Sequence, residues 1–413
     1  MNSDKPRISS AFVHKDFRFF VIARLCLLTS HHMLNIALGQ YLWERTHQPI
    51  YLGYLGLAFF LPKMTLALFS GHIADRYDRR KIILYCRFAQ WFFSIGFLAI
   101  GWFQFNALWP LYLLATLTTI AYAFDGPAGQ SIIPELVPPK DLPHAVTWTS
   151  TAVQLSFITG PVLAGWIYAL SGKVQVVFYV IASIRFLSLT LIYLMKNRST
   201  RFDPSKLSLE VLFSGLRFIF QKRLILSAIS LDLFAVLLGG AVALLPIFAN
   251  DILKVGPSGL GYLRAAPALG AAATALWVTS RSAMKNSGIT LLSCVALFGL
   301  CTIAFALSKN FYLSLFILFI LGAADMVSVV IRGVLVQTQT PPEMLGKVSA
   351  VNLVFIGASN ELGEFESGVM AAWLGVIPSV IVGGVGTLCI VGIWTVLFPE
   401  LRKLKRLHSV SHS

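Results

Sequence analysis

Gly71-His72-Ile73-Ala74-Asp75-Arg76-Tyr77-Asp78-Arg79-Arg80-Lys81 joins an apolar run at 51–71 to another at 82–104. Each run is long enough to cross a bilayer as a helix, which takes about 20 apolar residues. Between them Arg76, Arg79, Arg80 and Lys81 crowd into one short turn with Asp75 and Asp78. Gly71 lets two helices and the turn pack closely. Asp75 is expected at a helix N-terminus, where the helix dipole favours an anion. The stretch therefore predicts a charged turn pinned at the membrane surface between two spanning helices.

The rest of the chain extends that pattern. Of 413 residues 56% are hydrophobic and 12% charged, with mean hydropathy +0.75; a soluble domain carries about twice that charged fraction. Thirty-one phenylalanines exclude a disordered chain. Long unbroken apolar runs exclude an outer-membrane barrel, whose strands alternate in polarity. Runs at 17–42, 51–71, 82–104, 108–131, 144–169, 174–195, 224–249, 257–280, 288–308, 311–337, 347–372 and 376–398 predict twelve spans. The polar stretch Met1–Lys15 leads into the first span without a small-residue cleavage site, so that span reads as a retained helix. Lys196–Arg223 is the longest polar segment; Leu207, Val211, Leu212, Leu216 and Ile219 recur in it at helical spacing, predicting an amphipathic surface helix.

The chain repeats itself. Leu52-Gly53-Tyr54-Leu55 returns as Leu260-Gly261-Tyr262-Leu263 at an offset of 208. Pro138-Pro139 returns as Pro341-Pro342 at 203, where Gly160 and Gly165 also fall on Gly363 and Gly368. Four matches near half the chain length indicate a duplicated six-helix unit.

The net charge of +15 is a topology signal. Twenty-three Lys and Arg fall in the termini and loops of one side, four (Arg45, Lys173, Lys254, Lys309) on the other, and six (Arg24, Lys63, Arg87, Arg185, Arg264, Arg332) within spans. Both termini and the linker are thus expected in the cytoplasm, with Trp43, Trp102 and Trp109 as anchors at the outer ends. Nucleic acid is not an expected partner. The five cysteines form no CxxC pair and read as small buried hydrophobes. No phosphate-binding loop, nucleophile motif or metal-ligand spacing is present, so neither enzyme activity, cofactor nor metal is expected.

The quoted turn resembles the G-x-L-A-D-R-x-G-R-R-K motif of the major facilitator superfamily, with Asp78 in place of the second glycine. By that resemblance Gly71, Asp75, Arg76, Arg79 and Arg80 form a conformational-switch loop. Its counterpart in the second half, Thr279 to Gly288, keeps only Arg281 and Lys285. Gly160-Pro161-Val162-Leu163-Ala164-Gly165 resembles the G-P-x-x-G-G motif in the fifth helix of drug antiporters of that superfamily, which implies export. Physically, small residues let helices approach and Pro161 removes a backbone donor. Those antiporters carry a proton-coupling Arg on the fourth helix; residues 108–131 contain no Lys or Arg, so that role is not transferred.

From about residue 15 to 400 the chain resembles the secretion-effector branch, which includes siderophore (enterobactin) exporters. Phe124-Asp125-Gly126-Pro127-Ala128, Ile133-Pro134-Glu135-Leu136-Val137-Pro138 and Asn360-Glu361-Leu362-Gly363-Glu364-Phe365-Glu366-Ser367-Gly368 carry the likeness. It implies an all-α membrane protein of the major facilitator fold, with twelve transmembrane helices in two pseudo-symmetric bundles. The expected parts are a cytoplasmic tail (1–16), an N-terminal bundle (17–195), a linker with an amphipathic helix (196–223), a C-terminal bundle (224–398) and a basic tail (399–413). It further implies a monomeric, multi-pass transporter of the bacterial inner membrane. Its partners are protons, the lipid bilayer and a siderophore- or drug-like small molecule moved by alternating access. Uptake, lipid flipping and a transport-inactive sensor or scaffold are the alternatives.

Ionisable residues inside spans are the candidate cavity groups. Arg24, Leu28, His31 and Asn35 recur at i, i+4, i+7 and i+11 on one face, and the first, fourth, seventh and tenth helices line the cavity in the superfamily. His31 is a group able to titrate near neutrality; His32, about 100° away, is expected to pack elsewhere. Asp125, Asp232 and Asp325 fall in the other presumed lining helices. Asp325 and Arg332 share a face but lie about 10 Å apart in rise, too far to pair. In the eleventh span Asn360, Glu361 and Glu364 cluster while Glu366 points about 160° away. Glu361, about 21 Å from the inner end, needs a partner such as Arg332 or Arg24, or a proton. Arg185 is expected to find an acid during helix packing, and Arg87 and Arg264 to snorkel.

Overall fold

The computed structural model describes residues 10–103, 107–196, 209–279 and 286–404. Among the described residues twelve long helices follow one another, nine of them long and apolar enough to cross a membrane: α1 (Lys15–Thr46), α2 (Pro49–Arg76), α3 (Arg79–Phe103), α4 (Trp109–Ser131), α5 (Leu142–Ser171), α6 (Val174–Tyr193), α7 (Arg223–Gly239, continued by short turns to Ile252), α8 (Gly256–Thr279), α9 (Ser287–Leu307), α10 (Phe311–Gln339), α11 (Pro342–Leu374) and α12 (Val376–Leu397). No strand occurs among the described residues. A helix Leu209–Gln221 lies between the two sets of six.

These helices are inside-out relative to those of a soluble protein. On α3, Ile83, Arg87, Gln90, Ser94 and Phe97 are buried while Tyr85, Phe88, Phe92 and Ile95 are exposed. In lipid the apolar side chains face outward, and polar groups find one another inside. Breaks sit where backbone chemistry requires them. Pro110 opens α4 and Pro143 opens α5, where a missing N–H costs nothing. Gly172, at φ +64°, ends α5 in the left-handed region that glycine adopts without strain.

The repeat is visible in the elements. The paired prolines 138–139 and 341–342 precede α5 and open α11 respectively, and the matched Leu-Gly-Tyr-Leu segments lie near the starts of α2 and α8. Contacts divide the chain into two compact units, Met1–Leu38 with Leu61–Leu207, and Gly39–Phe60 with Ser208–Ser413. The first has a core of Phe17, Phe20, Ala23, Ile83, Ala128 and Ile192. The second is built on Ala228, Leu231, Leu291, Ile331 and Leu335. In it, α8 and α10 meet glycine to backbone: a Cβ at Gly270 would stand 1.9 Å from the Phe319 carbonyl, and one at Gly322 1.9 Å from that of Pro267.

Some expectations change. The linker helix does not simply lie on a membrane surface: Gly215 abuts the Lys347 carbonyl, and Leu216 and Ile219 pack with Ile225, Val348 and Val351. Leu207 lies outside the described residues. Trp43 is buried rather than an anchor, whereas Trp102 and Trp109 are exposed. Cys389 is exposed, so the buried reading does not fit every cysteine.

Candidate functional site

The turn between α2 and α3 works through its arginines. Arg79 Nη1 donates to the carbonyl of Ser131, the last residue of α4, at 3.0 Å, and pairs with Glu135. Arg80 Nη2 donates to the carbonyl of Tyr193, the last residue of α6, at 2.9 Å. Both cations therefore cap helix C-termini, where unpaired carbonyls and the dipole favour positive charge. Arg76 is exposed. Asp75 is not at a helix N-terminus, because α2 runs on to Arg76; its side chain lies outside those described. The capping acid is Asp78, whose Oδ1 accepts from the Arg80 and Lys81 amides at 3.0 and 3.3 Å. The residue that departs from the superfamily pattern is thus an N-cap. Close by, His14 Nε2 lies 3.2 Å from Asp141 Oδ2. Ser10 and His14 beside it hold the Asp141 carboxyl below its usual range.

The α5 motif is a packing device. A Cβ on Gly160 would stand 2.6 Å from His32 Cβ and 2.8 Å from the Thr29 carbonyl, so α5 lies directly on α1. Pro161 and Gly165 are buried, and α5 continues through the proline.

Within the first unit Arg87 does not snorkel. It is 1% exposed and donates from Nε to Asp125 Oδ1 at 3.2 Å and from Nη1 to Ser188 Oγ at 2.6 Å. Ser188 Oγ donates onward to the Ala23 carbonyl at 2.7 Å, which ties α3, α4, α6 and α1 together. Arg185 has neutral partners instead of an acid: Ser94 Oγ at 2.8 Å, the Gln90 carbonyl at 3.0 Å and Ser30 Oγ at 3.4 Å. Arg24 Nη1 donates to the Gly129 carbonyl at 3.2 Å. His31 stacks on Tyr122 with centroids 4.6 Å apart, and Lys63 Nζ lies 5.8 Å from the same ring. His32 packs on Phe157 of α5. Away from the helix ends four cations (Arg24, Lys63, Arg87, Arg185) accompany one carboxylate, Asp125.

The second unit inverts that balance. Asp232 of α7 pairs with Arg332 of α10, so Arg332 is not the partner expected for Glu361. Asp325, two turns from Arg332 on the same face of α10, makes no hydrogen bond or ion pair among the described residues but lies in the electrostatic range of both. Arg264 does not snorkel either; it binds Glu364 at 3.1 Å and the Val242 carbonyl at 2.8 Å. Asn360 is exposed and bonds back to the Ile356 carbonyl of its own helix. Glu361 is half-buried near Gly56 of α2, whose Cβ would meet the Glu361 carbonyl at 3.1 Å. Along the spans Asp232, Asp325, Glu361, Glu364 and Glu366 outnumber Arg264 and Arg332. The repeat reproduces the position and reverses the sign. Arg24 and Asp232 are 208 residues apart, Gly129 and Arg332 203, so the polar contact between first and fourth helix recurs in each half.

Two features escaped sequence reasoning. The apolar run 224–249 hides a break: α7 ends at Gly239, and Phe248–Ile252 forms a π-turn, a form found often at functional positions. Beside it Gln40 and Asn250 exchange amide hydrogen bonds at 3.1 and 2.9 Å, and Trp43 donates to Asp251 at 3.3 Å. The Lys63–Tyr122 contact was signalled only by a lone lysine deep in an apolar run.

Residues 9–413 match the family described as transmembrane secretion effector. The chain is 26% identical over 404 residues to the enterobactin exporter EntS of Escherichia coli O1:K1 / APEC, covering 95% of this chain and 94% of that protein. It is 26% identical over 371 residues to the uncharacterized MFS-type transporter YfiS of Bacillus subtilis (strain 168), covering 87% of each. The fold matches a bacterial homolog of the human lysosomal transporter Spinster, in an inward-facing and occupied conformation, with TM-score 0.74 over 96% of this chain and 99% of that one, at 14% identity.

Proposed function

The chain belongs to the transmembrane secretion effector family of major facilitator transporters, and from that membership we propose that it exports a siderophore or similar amphipathic small molecule across the bacterial inner membrane, driven by protons. Its termini and linker lie in the cytoplasm on this reading, the halves 17–195 and 224–398 alternate access, and the chain acts as a monomer. The full-length relationship to a protein named an enterobactin exporter supports export.

The observation that carries proton coupling is the Asp232–Arg332–Asp325 cluster. One guanidinium neutralises one carboxylate; a second ionised carboxylate in low dielectric is expensive. A proton on Asp325 or Asp232 removes that expense. Release to one side and uptake from the other then links protonation to the conformational cycle. The loop arginines Arg79 and Arg80, holding the ends of α4 and α6, are contacts such a cycle would make and break.

Comparing medium and cell extracts of wild-type and deletion strains under iron limitation tests direction and cargo. Retention of an aromatic or carboxylate siderophore inside deletion cells supports export. Unchanged pools on both sides, or failure to take up an external compound, overturns it.

A further inference from the structure

We infer that the core of the first unit, where α1, α3, α4 and α6 meet, holds a small inorganic anion such as chloride. Arg185 of α6 and Gln90 of α3 carry the argument. Arg185 is 1% exposed, and its guanidinium donates to neutral oxygens: Ser94 Oγ at 2.8 Å, the Gln90 carbonyl at 3.0 Å and Ser30 Oγ at 3.4 Å. Its Nη2 has no hydrogen-bond partner among the described residues. The Gln90 side chain, 0% exposed, lacks one at both Nε2 and Oε1, and so does the Thr118 hydroxyl, 1% exposed. Thr118 belongs to the same layer: Gly96 lies against Leu114 and Arg87 against Asp125, a register that sets Thr118 of α4 level with Ser94 of α3. Its neighbour Thr119 returns its hydroxyl to the Ala115 carbonyl at 2.8 Å, the usual resort of a buried helical threonine. Thr118 does not.

Buried polar atoms are normally satisfied, and exceptions mark places where an ion or water completes the set. These exceptions lie deep. Gln90 is eleven residues into α3, about 17 Å along its axis and so near the middle of a hydrocarbon core about 30 Å thick. Charge decides the sign of the ligand. Asp125 is already held by Arg87, and no carboxylate among the described residues bears on Arg185. A buried guanidinium without a counter-charge is costly at that depth. Water alone would satisfy the hydrogen bonds and leave the charge, and a metal cation would be repelled. An anion answers both. A monatomic one imposes no bond directions, which suits a guanidinium N–H, an amide and a hydroxyl arriving from three helices. The remaining unpartnered atom, Gln90 Oε1, is an acceptor; a water donating to it and to the ion completes the set. Since Ser30, Gln90, Ser94, Thr118 and Arg185 are each 0–1% exposed, the ion is enclosed as a fixed counter-charge joining four helices.

Thermal unfolding of the purified full chain in nanodiscs, titrated with sodium chloride against sodium gluconate at constant ionic strength, tests this without any transport assay. Chloride should raise the wild-type midpoint saturably, as a ligand of the folded state does. Gln90→Leu keeps the backbone carbonyl that Arg185 uses and removes only the amide. It should need at least about tenfold more chloride for the half-maximal shift, yet melt above the wild type in gluconate, where both amide atoms stand unpartnered. Gln90→Glu puts a carboxylate beside Arg185 in place of the ion. It should melt above the wild type in gluconate and lose the chloride response. Crystals of the wild-type chain grown in bromide should show one anomalous peak within hydrogen-bond distance of Arg185 and Gln90. Equal midpoints in the two salts, the same chloride response in Gln90→Glu as in the wild type, or bromide absent from this layer would each overturn the inference.

Discussion

Asp125→Asn removes the single carboxylate facing Arg87 while keeping the side chain's shape. Arg87 Nε and Asp125 Oδ1 are 3.2 Å apart, and the two side chains are 1% and 7% exposed. Two unit charges at that distance attract by about 5 kcal/mol at an effective dielectric of about 20. Part of that attraction is already offset by desolvation in the native state, so the net worth of the pair is small. Removing one partner is different, because the remaining ion stays buried and unpaired, at a cost of about 3–5 kcal/mol. The amide oxygen of Asn and the Ser188 hydroxyl keep two acceptors near Arg87, which places the expected loss near the lower end, about 3 kcal/mol. The double variant Arg87→Leu/Asp125→Leu should be less destabilised than Asp125→Asn, since no lone charge remains. Denaturation of the full chain in mixed micelles of rising SDS fraction, followed by ellipticity, gives both values. The exposed pair Arg223–Glu400, at 3.9 Å with side chains 75% and 52% exposed, is the control and should contribute less than about 1 kcal/mol. If Asp125→Asn proves as mild as Glu400→Gln, or if the single losses simply add in the double variant, the buried-pair reasoning is wrong.

Gly160→Val should destabilise the fold by about 1–3 kcal/mol or more by overpacking α5 on α1, whereas Gly126→Ala, with open space around it, should leave the same denaturation midpoint unchanged. Asp78→Ala should cost about 1 kcal/mol through loss of the α3 cap and Asp78→Gly only a few tenths, so restoring the superfamily glycine is nearly silent in stability. Because the Asp141 carboxyl titrates below its ordinary 3.8 in the folded chain, its contribution is present above that value and is lost as pH falls through the lowered one. Hydrogen-exchange protection of the Ser10–Val13 turn, corrected for intrinsic rates, should therefore drop below about pH 4 in the wild type and show no such step in Asp141→Asn.

Apolar runs located all twelve long helices because apolar length is what a bilayer demands, although only nine of the helices are apolar enough throughout to cross one; the paired prolines located the start of each half's fifth helix because a missing N–H has few tolerated places. Helix ends were less legible. Apolarity stops at Gly71, but hydrogen bonding carries α2 to Arg76, which moved Asp75 away from a helix start and gave the cap to Asp78. The break at Gly239 lies inside an apolar run and the π-turn after it straddles that run's end, and hydrophobicity records no backbone hydrogen bonds. Which charges lie in the spans was plain from the sequence, whereas their sorting by sign between the halves emerged only once the helices were paired. Partners were not: Arg87 meets Asp125 from 38 positions away and Ser188 from 101, and no local periodicity encodes such meetings. Arg185 shows the same limit, since three uncharged oxygens replaced the acid that its charge suggested.

Coupling of transport to protons through the second unit is the central claim, and everted membrane vesicles test it most directly. Vesicles carrying the wild-type chain should accumulate a radiolabelled catechol siderophore when an inward-acid gradient is imposed and stop when it is collapsed. Vesicles with Asp325→Asn should bind the compound but accumulate none against its gradient. Equal accumulation with and without the proton gradient, or full gradient-driven accumulation by Asp325→Asn and Asp232→Asn alike, would contradict the account.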